Sequence, residues 1–245
     1  MQIIPLSEGS FTVDSSKQFV PFREGEDELN ERKRGSILVE IQPFLIVTKK
    51  DVILLDAGLG QNDENGYFQL YRNIKNAGFE QDEVTKVLMS HMHKDHIGGL
   101  INPYTHLFSF ENALLYIQKS ELEYAYQKAG SSYSIPMLDL ISSFDNLELI
   151  KTDKGEIDYY IEYEVTGAHS KYHQVFWIRE DEEIAFFGGD DLSQYNQLKR
   201  RYKAKYDYDG EKAMELRENW HERGKKERWN FLFYHDSQKS IFKFK

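Results

Sequence analysis

At 245 residues with 40% hydrophobic side chains, the chain is long enough to enclose a sizeable core, and it reads as a single domain over residues 1–245. A formal net charge of −10 argues against general nucleic-acid binding, which depends on Lys and Arg neutralising phosphates, and the lack of cysteine removes disulfides, thiolate ligands and a cysteine nucleophile. No apolar run approaches the roughly 20 residues that span a bilayer, and MQIIPLSEGS lacks a basic stretch leading into a long apolar one, so the reading is a cytoplasmic protein without a membrane partner.

From Gln2 to Asp56 the pattern is strand-like: IIPL, SFTV, SILVEI and FLIVTKKDVILLDAG, with Lys49-Lys50-Asp51 as a turn. These runs predict a meander. It is interrupted by the charged segment Phe22 to Gly35, which reads as a solvated loop or a short exposed helix. Leu70, Ile74 and Ala77 share helical spacing and predict a helix over Tyr67 to Ala77, stopped by Gly78. VTKVLMS then forms a short strand ending at Ser90, and LLYIQ at 114–118 another. Ser120 and Glu123 make a capping-box pattern for a helix from Glu121 to about Lys128. In the second half, strands are expected near Tyr159–Val165, Gln174–Arg179 and Ile184–Phe187. A helix follows over Gly210 to Arg223, with Asp209 as its N-cap and Gly224 as its stop. NFLFYHD and SIFKF read as closing strands. Two β-rich halves, each with helices, predict an α+β fold: two sheets face to face, covered outside by helices.

The chemistry concentrates in VLMSHMHKDHIGGL, residues 87–100, which holds three of the chain's eight histidines. Past the strand, side chains 91 and 93 point the same way, and 95 and 96 project from the following turn. Two imidazoles and an Asp-His pair can then face one small volume. Imidazole and carboxylate together suit a divalent cation such as zinc, and Gly98-Gly99 let the backbone pass close by. With no cysteine, any metal must be held by His, Asp or Glu. His169, Asp190 and His235 each lie just past a β-like run and could converge on the same rim, with Asp191 competing with Asp190. His106, His173 and His221 read as structural.

His91-Met92-His93-Lys94-Asp95-His96 resembles the HxHxDH signature of the metallo-β-lactamase-fold hydrolases. The rest of that family's pattern follows in order: Asp56 and Gly58 in LLDAGLG, His169 in VTGAHSKYHQVFWI, Asp190 in IAFFGGDDL and His235 in NFLFYHDS. The resemblance implies a four-layer αββα sandwich and two zinc ions per chain, with manganese or iron as alternatives. One ion would lie on His91, His93 and His169, the other on Asp95, His96 and His235, with Asp190 between them. It further implies hydrolysis of a small ester or lactone by a metal-bound hydroxide, Asp95 handling a proton and Asp56 orienting a liganding imidazole.

Without cysteine the chain departs from β-lactamases that use that ligand, and the ten residues beyond His235 leave no room for the helical domain of glyoxalase II. The nearest pattern is the compact branch of quorum-sensing lactonases and methyl-parathion-hydrolase-like enzymes. Gly167 and Ala168 stand where that branch's TPGHTPGHQ segment has Pro and Gly. Between Asp190 and His235, an insert rich in Tyr, Lys and Arg is expected beside the substrate. Tyr195 is the candidate to polarise a carbonyl of the small-molecule substrate, with Tyr202, Tyr206 and Tyr208 as alternatives, and the same aromatics could instead serve a homodimer. A phosphoester or phosphotriester hydrolase on the same site, a mononuclear iron oxygenase, and a metal- or ligand-binding protein without turnover are the competing readings.

Overall fold

Side chains alternate across a β-strand, so neighbouring apolar residues serve opposite faces of a sheet. In the computed structural model, which describes residues 1–244, that alternation builds a layered molecule. In chain order, β1 (Gln2–Pro5), β2 (Gly9–Val13), β3 (Phe19–Phe22), β4 (Ile37–Ile41), β5 (Phe44–Val47) and β6 (Val52–Leu55) precede helix α1 (Gln69–Asn76). Then come β7 (Lys86–Leu88), α2 (Lys94–Ile97), β8 (Leu114–Gln118), α3 (Lys119–Gln127), α4 (Ile135–Ser142) and β9 (Leu147–Ile150). The second half holds β10 (Lys154–Ile157), β11 (Ile161–Val165), β12 (Gln174–Glu180), β13 (Glu183–Phe187), α5 (Tyr195–Lys199), α6 (Gly210–Glu227), β14 (Asn230–Leu232) and β15 (Ile241–Lys243).

One six-stranded sheet runs β1-β5-β6-β7-β8-β9, a second runs β10 to β15 in sequence order, and β3-β2-β4 form a small third sheet. Phe44, Ile46, Ile53 and Leu55 of the first sheet pack on Phe176, Ile178, Ala185 and Phe187 of the second. Leu45 and Leu54 turn to the opposite face and meet Leu70 and Ile74 of α1 and Leu138 of α4. Val175, Trp177 and Phe186 likewise turn outward to Leu198 of α5 and Trp220 of α6. The four-layer αββα order expected from the sequence is therefore present. No helix among the described residues is long and apolar enough to cross a membrane.

The N-terminal strands do not form a meander. β1 pairs antiparallel with β5, while β2 lies between β3 and β4 in the separate sheet. The switch falls at Gln42-Pro43, where proline lacks the N–H that a continuing ladder needs. Three further details depart from the sequence reading. Helix α3 starts at Lys119, and Gln118 caps it by accepting from Ser120 N at 3.3 Å, in place of the Ser120–Glu123 box. Helix α4, which short length and nearly unbroken apolarity hide from periodicity, carries its proline in the first turn, where a missing N–H is harmless. Helix α6 runs past Gly224 and ends at Arg228, whose φ of 56° is left-handed. The Lys49–Asp51 turn and the exposed loop between β3 and β4 are as expected.

Gly224 serves packing. A Cβ there would lie 2.1 Å from the Phe231 ring and 3.1 Å from Trp229, so only glycine lets α6 press onto the second sheet. A similar close approach occurs after β6, where Gly58 has φ +74° and a Cβ would meet the Glu8 carboxylate at 2.5 Å. Glu8 is half-buried, but its carboxylate is enclosed: it accepts from Leu59 N at 2.6 Å, and its other oxygen has no partner. Burial pushes the Glu8 carboxyl up to about 7.

Two outcomes follow from these contacts. Mid-helix Gly→Ala ordinarily stabilises by up to about 1 kcal/mol, but Gly224→Ala should destabilise by about 1–3 kcal/mol through overpacking; a higher urea midpoint for the variant would refute this. A raised carboxyl contributes stability below its unfolded value, and that stability is lost as pH rises through the folded value. Relative to Glu8→Gln, the wild type should therefore lose stability between about pH 4.5 and 7, read by denaturant unfolding across that range.

Candidate metal centre

Each side chain at the centre follows the C-terminal end of a strand or lies just beyond it. Strands β6 and β7 run parallel, as do β13 and β14, so both sheets deliver their loops to one edge. Beyond β7 the chain extends through Ser90 to His93 and then turns into α2, which projects Asp95 and His96. Gly167 (φ +61°) turns the chain after β11 toward His169, and Gly189 (φ +48°) turns it after β13 toward Asp190. A Cβ on Gly189 would lie 2.6 Å from His173 and 2.8 Å from Ser90, so glycine also permits the close approach of the two loops.

The ring nitrogens converge. His91 Nε2 is 2.9 Å from His93 Nδ1, which is 3.2 Å from His169 Nε2, and His169 Nε2 is 3.2 Å from Asp190 Oδ2. On the other side, Asp190 Oδ1 lies 3.0 Å from His235 Nε2 and 3.4 Å from His96 Nε2. Asp95 Oδ2 is 3.6 and 3.7 Å from the same two nitrogens. Within each group, His91-His93-His169-Asp190 and Asp95-His96-His235, the candidate ligand atoms lie within 4.8 Å of one another. The seven residues expected from the sequence are thus brought together, and Asp190 faces both groups.

What fixes the rings is what lies behind them. His96 Nδ1 donates to Asp56 Oδ2 at 2.7 Å, and His235 Nδ1 donates to the Glu40 carbonyl at 2.7 Å. Ser90 Oγ donates to Asp56 Oδ2 at 2.6 Å, which leaves it to accept from His91 Nδ1 at 3.0 Å. His169 Nδ1 faces Asp207 Oδ1 at 3.1 Å. With its proton so placed, each of these four imidazoles presents an Nε2 lone pair inward. Lone pairs of several imidazoles and a carboxylate then meet in one buried volume, which is unfavourable unless a cation or extra protons intervene. His96 Nε2 and Asp190 Oδ1 accordingly make no hydrogen bond. The nitrogen spacings are close to the roughly 3.3 Å edge of a tetrahedron with Zn–N bonds of about 2.0–2.1 Å. The donor set fits a pair of divalent cations.

The same charges set the protonation tendencies. Burial, followed by neighbouring imidazoles, pushes His91 and His93 well below the ordinary histidine value, which keeps them neutral and able to ligate. Burial works against protonating His96 and His235, but Asp190 and Asp95 outweigh it and hold both above that value. Asp190 is held well below the carboxylate range by His235, His96 and His169 in spite of its burial.

Several supports carry no signal in the sequence. Buried Glu121 accepts from Met92 N, Tyr133 OH and Ser170 Oγ, tying the loop of His91 and His93 to the loop of His169. His173 is structural, as read, yet it supports the centre: its Nε2 accepts from Asp190 N at 3.1 Å and its Nδ1 lies 3.0 Å from Asp191. Asp191, the competitor for the bridging role, instead accepts from His169 N at 2.6 Å. Buried Arg217 of α6 donates to the carbonyls of Asp191 and Tyr202 and lies 3.6 Å from Asp207. His106 and His221 stand apart, the former in an exposed loop.

A cleft of about 440 Å³ opens over the cluster, walled by Val13, Phe19, Ile37 and Val39 of the small sheet and by Tyr202 and Tyr206 of the insert. Tyr195 does not reach it. Its ring packs on Phe233 and Phe242 beneath Lys199 and Lys239, because α5 turns that face into the outer core. Tyr206, whose ring is 5.9 Å from that of His169, occupies the place expected for Tyr195.

Residues 40–102 match the family model of the Metallo-beta-lactamase superfamily, and solved structures superpose on nearly the whole chain. The chain has the metallo-β-lactamase fold. A probable metal-dependent hydrolase from Staphylococcus aureus superposes with a TM-score of 0.80 at 23% identity, covering 99% of this chain and 91% of that one. AidC, a dizinc quorum-quenching lactonase, gives 0.73 at 18% identity over 98% and 88%. An N-acyl homoserine lactone hydrolase with N-hexanoyl-L-homoserine at its catalytic metal centre gives 0.67 at 20% identity over 96% and 93%. At these identities the metallo-β-lactamase likeness is one of fold. No curated protein matches the chain in sequence.

Removing the acceptor behind His169 leaves its ring free to turn. Asp207→Ala should weaken metal affinity about 10- to 100-fold, measured by competition with a chromophoric chelator, while circular dichroism stays native. Unchanged affinity would show that Asp207 does not position this ring.

Proposed function

We propose that the protein is a divalent-metal-dependent hydrolase of small esters or lactones with a two-cation centre. His91, His93 and His169 would hold one cation and Asp95, His96 and His235 the other, with Asp190 facing both groups. The nitrogen-rich donor set favours zinc, while manganese and iron accept the same groups. The observation that carries the reading is the Asp190 carboxylate between two sets of inward-facing, cation-ready imidazoles.

When bound, the two cations supply Lewis-acid polarisation of a carbonyl and a water acidic enough to attack near neutral pH. The chain's own residues do the rest. Asp56, Ser90, Asp207 and the Glu40 carbonyl keep the imidazoles aimed, so little reorganisation is needed when charge develops. Asp95 borders the cleft, where its carboxylate can take a proton and return it to the departing oxygen. Tyr206 is placed to donate a hydrogen bond to the substrate from the wall beside His169. The cleft has the size of a small-molecule site, and the metallo-β-lactamase fold shared with two lactonases supports a carbonyl ester or lactone as substrate.

The test is elemental analysis of protein purified without added metal, read beside hydrolysis of a panel of lactones, aryl esters and phosphotriesters before and after chelation. About two zinc ions per chain, turnover lost on chelation and phosphotriesters nearly untouched are expected, with Asp95→Asn lowering kcat at least about 100-fold. A single iron, or no metal and no hydrolysis regained with zinc, would overturn the reading.

A further inference from the structure

The cleft has a rim that the metal cluster does not explain. Lys17 and Lys94 both line it, and among the described residues neither ammonium has a carboxylate within salt-bridge distance. Acid is not scarce: carboxylate side chains outnumber Lys and Arg by 41 to 31. The acid nearest Lys17 in sequence, Asp14, is taken by Lys33 at 2.7 Å. The two heads lie instead over aromatic walls of the cleft, Lys17 Nζ 5.8 Å from the Tyr206 ring and Lys94 Nζ 5.8 Å from the Phe19 ring. Lys17 holds the left-handed position (φ 59°) of the β2–β3 hairpin, where glycine is the undemanding choice. Lys94 stands between His93 and Asp95 in the signature segment itself.

Between these two cations the small sheet presents Val13, Phe19, Ile37 and Val39. The cleft therefore has a reaction floor, an apolar wall and a cationic rim whose charges are unspent. We infer that the substrate is an anionic amphiphile, an ester or lactone with a carboxylate or phosphate-type group remote from the scissile carbonyl. Lys17 and Lys94 receive that group while the small sheet covers the apolar link. This inference rests on the hydrolase reading for the scissile bond, but the anion subsite stands on the lysines alone.

The test uses metal-loaded protein and three esters of matched length: 4-nitrophenyl pentanoate, the mono-4-nitrophenyl ester of glutarate, and 4-nitrophenyl 4-phosphonobutanoate. At low ionic strength, kcat/KM for at least one anionic ester should exceed that of the neutral one by about tenfold, and the ratio should shrink in high salt. The larger ratio assigns the carboxylate or the phosphate-type group. In the Lys17→Gln/Lys94→Gln double variant, checked for metal content, the ratio should fall toward one, and Lys17→Arg/Lys94→Arg should restore it. A ratio near one in the wild type, or a ratio that survives the double Gln variant, overturns the inference. If no ester is cleaved, the hydrolase reading is what fails, and calorimetry decides the subsite. Tighter binding of glutarate than of pentanoate, lost in the double Gln variant, supports it, and equal binding of the two overturns it.

Discussion

Everything in this structure answers to one electrostatic constraint: five imidazoles and two carboxylates share a small buried volume at the edge of two sheets. Such a volume is tolerable only with a cation, or protons, in front of the rings, and four of the five rings are also held by an acceptor behind them. The acceptors come from widely separated parts of the chain. Asp56 lies at the end of β6, Ser90 beyond β7, the Glu40 carbonyl in β4 and Asp207 in the insert before α6. The central packing of the sheets puts these elements in register, so the apolar core and the polar centre are consequences of the same strand order.

The layered architecture and the cluster were legible because each leaves a local imprint. Alternating apolar runs identify strands such as β5, β6, β12 and β13, and the dense His and Asp spacing at 91–96 needs no tertiary information. Long-range pairing leaves no such imprint. Nothing in the sequence of β1 states that its partner is β5, or that Pro43 marks the passage from one sheet to another. Asp207 and Arg217 escaped for the same reason: a carboxylate in a tyrosine-rich loop and an arginine on a charged helix read as solvent-facing. Their role depends on two chain segments folding back on His169.

Tyr195 and Tyr206 teach the complementary lesson. Residue type narrowed the insert to four tyrosines, but helical phase chose among them. The five-residue helix α5 turns Tyr195 toward Phe233 and Phe242, whereas the irregular segment after it carries Tyr206 over the cleft. Gly224 shows the same limit in a glycine. At a sequence position that suits a helix stop, its small size serves a close approach one layer deeper.

Arg217 gives this arrangement a wider meaning. Its guanidinium extends from an outer helix through the core's margin to the carbonyl of Asp191 and the neighbourhood of Asp207, both of which touch His169. The outermost layer is therefore not a coat around an autonomous centre. A fragment trimmed to the signature segment and its two sheets would lose the scaffold of one candidate metal ligand, so the helical covering belongs to the proposed centre as much as the histidines do.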